Sequence, residues 1–203
     1  MPRVLSKDDI VDFRERLCDA AEKLFADHGL EAVTMRQLAQ ALGVSPMTPY
    51  RYFADKDAIL AAVRARAFDR HGAALEAAYT NTKGDNRAKS RATAEAYVRF
   101  ALDHPEAYRL MFDIDQPTAR QYPELVRASL RSHNTMTMHL RAMMDAGEFK
   151  GDPEAVGHLY WSALHGPIML HLSGMLSPDI SVTKLTRALQ KAVDGLVFGG
   201  GKG

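Results

Sequence analysis

With Cys18 as the only cysteine among 203 residues, the chain can form no internal disulfide and suits a reducing compartment, so a cytoplasmic protein is expected. No apolar run approaches the ~20 residues that span a bilayer. The opening MPRVLSKDDIVDF has no uninterrupted apolar stretch and no small-residue cleavage pattern, so no signal peptide is read. An excess of one charge is also missing. The formal net charge is +1, and residues 1–71 carry eleven Lys and Arg against eleven Asp and Glu. Bulk electrostatics therefore makes no case for nucleic acid. Alternating β-branched residues, internal repeats, a glycine-rich phosphate loop and a nucleophile motif are lacking too, which argues against an enzyme. His158, His165 and His171 share one predicted helix, but spacings of seven and six residues separate their rings by about 10 Å along the axis. They cannot share one ion, so no metal and no cofactor are expected.

What remains is helix throughout. Apolar residues make up 46% and charged residues 25% of the chain, the profile of a globular protein. Ile10, Phe13, Leu17, Ala20, Ala21, Leu24 and Phe25 recur at helical spacing up to His28-Gly29. Cys18 falls in this stretch as a packing residue. Thr34 and Gln37 form a capping box for a second helix, which Gly43 closes. Ser45 caps a third, with Pro46 at its first position, running to about Phe53. Asp55 caps a fourth from Lys56 to about Ala78. The polar stretch from Thr80 to Asn86 reads as a boundary. Further helices are predicted at about 87–103, 105–112, 122–146, 154–176 and 182–198. The expected fold is all-α with about nine helices. A helix-turn-helix domain at 1–54 is joined by a connecting helix at 55–79 to a helical bundle at 80–203.

The second and third helices, with the turn Leu42-Gly43-Val44 between them, make a helix-turn-helix. Charge is distributed there in a way that the total conceals. From Ala32 to Ala54 the only charged residues are Arg36 and Arg51. The run TMRQLAQALGVSPMTPYRYFADKDAIL, residues 34–60, resembles the DNA-binding segment of the TetR family. The resemblance implies that Thr34 and Arg36 touch the sugar-phosphate backbone. It places Met47, Thr48 and Arg51 at base edges, with Arg51 suited to a bidentate contact on guanine. Tyr50, Tyr52 and Lys56 would reach phosphates, unless one tyrosine ring simply packs. Ser45 caps and Phe53 packs. Pro49 stands where many family members have leucine; it removes the bond to the Ser45 carbonyl, so a distorted or 3₁₀-like first turn is expected.

In the second half, Trp161-Ser-Ala-Leu-His165-Gly166 resembles a TetR subgroup with a Trp-x-x-x-His-Gly sequence in its C-terminal domain. Trp161 and His165 share a helix face and either line a ligand pocket or form part of the core. Methionines are plentiful. Met136, Met143 and Met169, with Tyr97, Phe100, Met111 and Phe112, could line a largely apolar cavity or fill ordinary core. Two apolar stripes suit the dimer interface that the family builds from its last two long helices, or burial within one subunit. One runs through Gly157, Trp161, Leu164, Ile168, Leu172 and Met175, the other through Leu185, Leu189, Ala192, Val193 and Leu196. The expected function is a homodimeric repressor of operator DNA, released by a small, largely apolar effector. A ligand-activated co-repressor or activator is the alternative within the family. A ligand-independent architectural DNA binder is the alternative outside it.

Overall fold

The computed structural model describes residues 6–112, 121–148 and 150–198. These form eight α-helices and one 3₁₀ turn, with no strand among the described residues: α1 (Lys7–His28), α2 (Met35–Ala41), the 3₁₀ turn Pro49–Arg51, α3 (Lys56–Asn81), α4 (Asn86–Asp103), α5 (Pro105–Phe112), α6 (Pro123–Asp145), α7 (Pro153–Leu172) and α8 (Val182–Phe198). Nine elements match the nine predicted helices in order, but the third is not an α-helix. No described helix is long and apolar enough to cross a membrane.

The chain divides into two compact units. The first takes residues up to Phe68 together with Arg109–Ser129; the second takes Asp69–Tyr108 and Leu130 onward. α3 carries the chain from one to the other.

In the first unit, the apolar face of α1 supplies Leu17, Cys18, Ala21 and Phe25. They cluster with Val33, Leu38, Phe53, Ile59, Val63 and Leu110. α1 opens on a capping box, in which the Ser6 hydroxyl accepts from the Asp9 N–H and Asp9 accepts from the Ser6 N–H. Arg64 donates from Nε to the Leu110 carbonyl at 3.0 Å and from Nη2 to that of Met111 at 3.2 Å. That satisfies two acceptors that the end of α5 leaves open and ties the end of α5 to this unit.

The second unit is built on α7, which packs against both α8 and α4. α7 is apolar around most of its circumference, as a helix buried on more than one side must be. Its inward face bears Gly157, Tyr160, Leu164 and Ile168. Of the two readings of the stripe on α7, burial within one subunit holds for part of it. Gly157, Leu164 and Ile168 are buried within one chain, whereas Leu159 and Leu170 on the opposite side of the helix are exposed. α7 also stops earlier than residue 176. The Gly174 N–H bonds to the His171 carbonyl and the Met175 N–H to that of Leu170, the paired bonds of a Schellman ending. At Gly157 a Cβ would lie 2.7 Å from Cγ2 of Thr137, so the glycine sets how closely α7 approaches α6.

Candidate functional site

The first unit holds the helix-turn-helix. Thr34 caps α2 as predicted: its hydroxyl accepts from the Gln37 N–H at 3.3 Å, and the Gln37 side chain accepts from the Thr34 N–H at 2.8 Å. The turn after α2 closes through two bonds, Gly43 N–H to the Gln40 carbonyl and Val44 N–H to the Ala39 carbonyl, each at 3.0 Å. The second spans six residues and requires a left-handed residue at its centre. Gly43 meets that need with φ of +64°. Ala39 is fully buried at this crossing.

The segment that follows is shorter and tighter than the helix predicted from Ser45 to Phe53. Thr48 N–H bonds to the Ser45 carbonyl at 2.8 Å and Arg51 N–H to that of Thr48 at 3.1 Å, both three-residue spans. Pro49–Arg51 is a single 3₁₀ turn. Pro49 explains it: lacking an N–H, it cannot bond four residues back to Ser45. Its ring is buried instead. The turn then locks at its far end. Tyr52 N–H and Phe53 N–H both reach the Pro49 carbonyl. Arg14 of α1 donates to the Tyr52 carbonyl at 2.7 Å, and its guanidinium lies 4.1 Å above the Phe53 ring. Nothing in the sequence singled out Arg14 as the clamp, because α1 and this turn lie 38 residues apart in the chain.

The eight residues assigned to DNA fall into two groups. Arg36, Met47, Tyr50 and Arg51 are exposed, Met47 by 68% and Tyr50 by 48%. Arg36 and Arg51 have no carboxylate partner among the described residues. Thr48 is half-buried. The others are engaged within the fold. The Thr34 hydroxyl serves its cap, and Tyr52 stacks on Phe13 with centroids 4.2 Å apart. The Lys56 ammonium donates to the Leu30 carbonyl at 2.8 Å. Two unpaired cations, with a thioether and a phenol raised on a locked turn, match what a major groove reads: a bidentate donor for guanine, an apolar group and a hydroxyl.

The residues assigned to a ligand fall in both units. Met111 and Phe112 belong to the first unit, where the Phe112 ring meets Phe68 edge-on. The other seven lie in the second unit. Tyr97, Phe100, Met136 and Met143 are buried there as tightly packed core, and Met169 is half-buried. Among them runs a chain of hydrogen bonds. Trp161 Nε1–H donates to the Tyr97 hydroxyl at 2.9 Å; that hydroxyl lies 2.7 Å from the Tyr108 hydroxyl, which lies 2.7 Å from His165 Nδ1. The indole can only donate, so the Tyr97 hydroxyl accepts from Trp161. Burial lowers the pKa of His165 and raises those of both tyrosines. Tyr108 went unnoticed in the sequence because its partners lie 11 and 57 residues away.

A small helical scaffold presenting an unpaired, exposed recognition turn defines a helix-turn-helix DNA-binding regulator. The comparisons specify it further. Residues 17–63 match the model of bacterial regulatory proteins of the tetR family, and residues 90–196 match that of the tetracyclin repressor-like C-terminal domain. The chain belongs to the TetR family, whose members are DNA-binding transcription regulators rather than enzymes. It is similar to the HTH-type transcriptional activator FasR of Mycolicibacterium smegmatis, 33% identical over 57% of this chain and 52% of FasR. It is also similar to the HTH-type transcriptional repressor Rv1474c of Mycobacterium tuberculosis, 38% identical over 31% of this chain and 33% of that protein. The matches thus span about half of the first of these relatives and a third of the second. Over the whole fold it resembles a protein of unknown function from Rhodococcus sp. RHA1, at 28% identity and a TM-score of 0.80, covering 98% of this chain and 99% of that one.

Proposed function

We propose that the protein acts as a homodimer that sets two copies of the Thr48–Tyr52 turn into successive major grooves of an operator, represses transcription there, and lets go when a small molecule occupies its C-terminal unit. The observation that carries the DNA reading is the exposed, unpaired pair Arg36 and Arg51 beside Met47 and Tyr50. Arg51 reads a guanine edge; Arg36, at the start of α2, grips phosphate together with the Tyr50 hydroxyl. Thr34, Tyr52 and Lys56 serve chiefly to hold the turn, and the two remaining protons of the Lys56 ammonium stay available to a phosphate.

Dimerisation is supported by apolar surface that the single chain leaves open. Leu159 and Leu170 of α7, and Leu189 and Leu196 of α8, are exposed. Gly166 lies between the two leucines of α7 with nothing within 4 Å of where its Cβ would be. Paired half-sites about one helical turn apart require two copies. Repression is the sense that Rv1474c carries in its name and activation the sense of FasR, so the sign is read directly from a reporter. Release by a ligand needs only a difference in its affinity for two shapes of the dimer, about 1–3 kcal/mol.

The test is selection of bound duplexes from random-sequence DNA, with the protein's mass in solution measured alongside. A two-fold symmetric consensus bound by a dimer is the expected result. A monomer, or a pool with no consensus, overturns the proposal. An operator-driven reporter that rises when the protein is deleted establishes repression; one that falls establishes activation.

A further inference from the structure

The second unit contains a cleft that none of the sequence-assigned ligand residues except Met143 helps to line. It is a cavity of about 200 Å³ bordered by α4, α6, α7 and α8. Its rim is basic: Arg87 and Arg91 come from α4, and Arg187 and Lys191 from α8. Among the described residues two carboxylates face it, and both are occupied. Glu95 accepts from Arg187 at 3.1 Å, and Asp194 accepts the Tyr160 hydroxyl. Arg91 and Lys191 have no carboxylate partner among the described residues. The Arg87 guanidinium lies 4.4 Å above the Phe198 ring, which holds the cation at the edge of the cavity without neutralising it. The inner wall is apolar, made by Leu140 and Met143 of α6 with the Phe198 ring. The face of α8 that carries Arg187, Lys191 and Asp194 lies opposite the exposed Leu189 and Leu196, two residues along the helix being about 200° of rotation. A partner seated on those leucines would leave the cleft open.

A concave site with an apolar wall and convergent cations selects a ligand of matching polarity. A bare inorganic anion would leave the half-buried Phe198 ring uncovered. An uncharged hydrocarbon would leave three cations unanswered. We propose that this cleft binds a small amphipathic carboxylate, its chain against the Phe198 ring and its head group between Arg91 and Lys191. A carboxylate there accepts charge-assisted hydrogen bonds from both, the stronger class of such bonds. The cavity is smaller than the roughly 300–1,000 Å³ of drug-sized ligand sites, so a medium-length chain fits where a long one would project into solvent. The reading of the C-terminal unit as an effector domain bears only on the consequence for DNA, and the two are separable.

Octanoate is the probe, titrated calorimetrically into the full-length protein with octanol and inorganic phosphate as parallel titrants. Octanoate is expected to bind at one site per chain, at least about tenfold more tightly than either control. Arg91→Gln with Lys191→Gln should weaken octanoate by about tenfold or more and leave octanol and the thermal midpoint unchanged. Phe198→Ser weakens octanoate with no loss of charge, a second route that does not depend on the cations of the head-group site. Equal binding of octanoate and octanol, no saturable binding, or full octanoate affinity in the double variant overturns the proposal. Operator affinity is followed in the same samples. Saturable octanoate binding with unchanged operator affinity keeps the cleft and removes the effector role. Loss of octanoate binding in a protein that still binds operator keeps the regulator and removes the cleft.

Discussion

The two units treat their polar groups in opposite ways. The first leaves Arg36 and Arg51 exposed and unpaired on a small scaffold whose other polar side chains serve to hold it: Thr34 on its cap, Arg14 on the Tyr52 carbonyl, Lys56 on that of Leu30. The second takes polar groups inside. Tyr97 and Tyr108 are buried and bonded to one another. His71 is buried against Ser132, and His139 is buried with neither ring nitrogen bonded. A surface that reads DNA must keep its donors free until the duplex arrives. A bundle that does not have to keep its donors free for a duplex can bond them to one another in its interior.

The comparison can be broken most strongly by acid. Burial holds His71 and His139 down to about 4, against about 6.5 in an unfolded chain. The folded-state value is the lower, so the unfolded chain takes up the proton first. Stability is whole above about pH 6.5 and falls as the pH drops towards 4, by about 3 kcal/mol for each histidine at the limit. The first unit's only histidine, His28, is exposed, so the second unit should lose structure first. Urea unfolding at pH 7.5 and 5 in wild type and in His71→Phe with His139→Phe checks this: the double variant should lose most of the pH dependence. An unaltered slope would place the acid sensitivity elsewhere.

Replacing Arg51 by Ala should weaken operator binding by about 1–3 kcal/mol and relax sequence preference, with an unchanged unfolding midpoint. Replacing Arg36 should weaken all duplexes alike and reduce the salt dependence by about one ion. Fluorescence anisotropy with operator and scrambled duplexes separates the two. Tyr108→Phe should do the reverse, costing about 2 kcal/mol of folding stability because it removes the buried bonds to the Tyr97 hydroxyl and His165 Nδ1, while operator contacts stay intact. Chemical denaturation measures the first effect and anisotropy the second. Gly157→Ala should cost about 1–2 kcal/mol by pressing on Thr137, and Thr137→Ser should relieve part of it by removing the methyl. Thr34→Ala, which removes one cap, should cost about 1 kcal/mol.

Much of the first unit could be read in the chain, because its determinants are local. The Thr34–Gln37 box, the glycine at residue 43 and the proline at residue 49 each act within a few residues, through hydrogen bonds that span three to five positions. The missing N–H of Pro49 was enough to foresee a 3₁₀-like start, although not that the whole segment would contract to tight turns. The ligand residues fared differently. Methionines and aromatics at helical spacing look alike whether they line a cavity or fill a core; here Tyr97, Phe100, Met136 and Met143 are buried. Gly157, Leu164 and Ile168 of the α7 stripe face inward, and periodicity alone does not choose between two faces of a helix that is apolar on both sides.

The chain alone shows that it is helical, where most helices begin and end, and that a turn bearing Arg51 follows the helix bearing Arg36, since caps, breakers and periodicity act over a single turn of backbone. Only the tertiary structure decided which face of α7 is buried, that Arg14 clamps the turn, that the end of α5 belongs with the first unit, and that Tyr108 joins Trp161 to His165. Those outcomes depend on which helices meet and at what angle, and contacts between residues tens of positions apart exist only once the helices have packed.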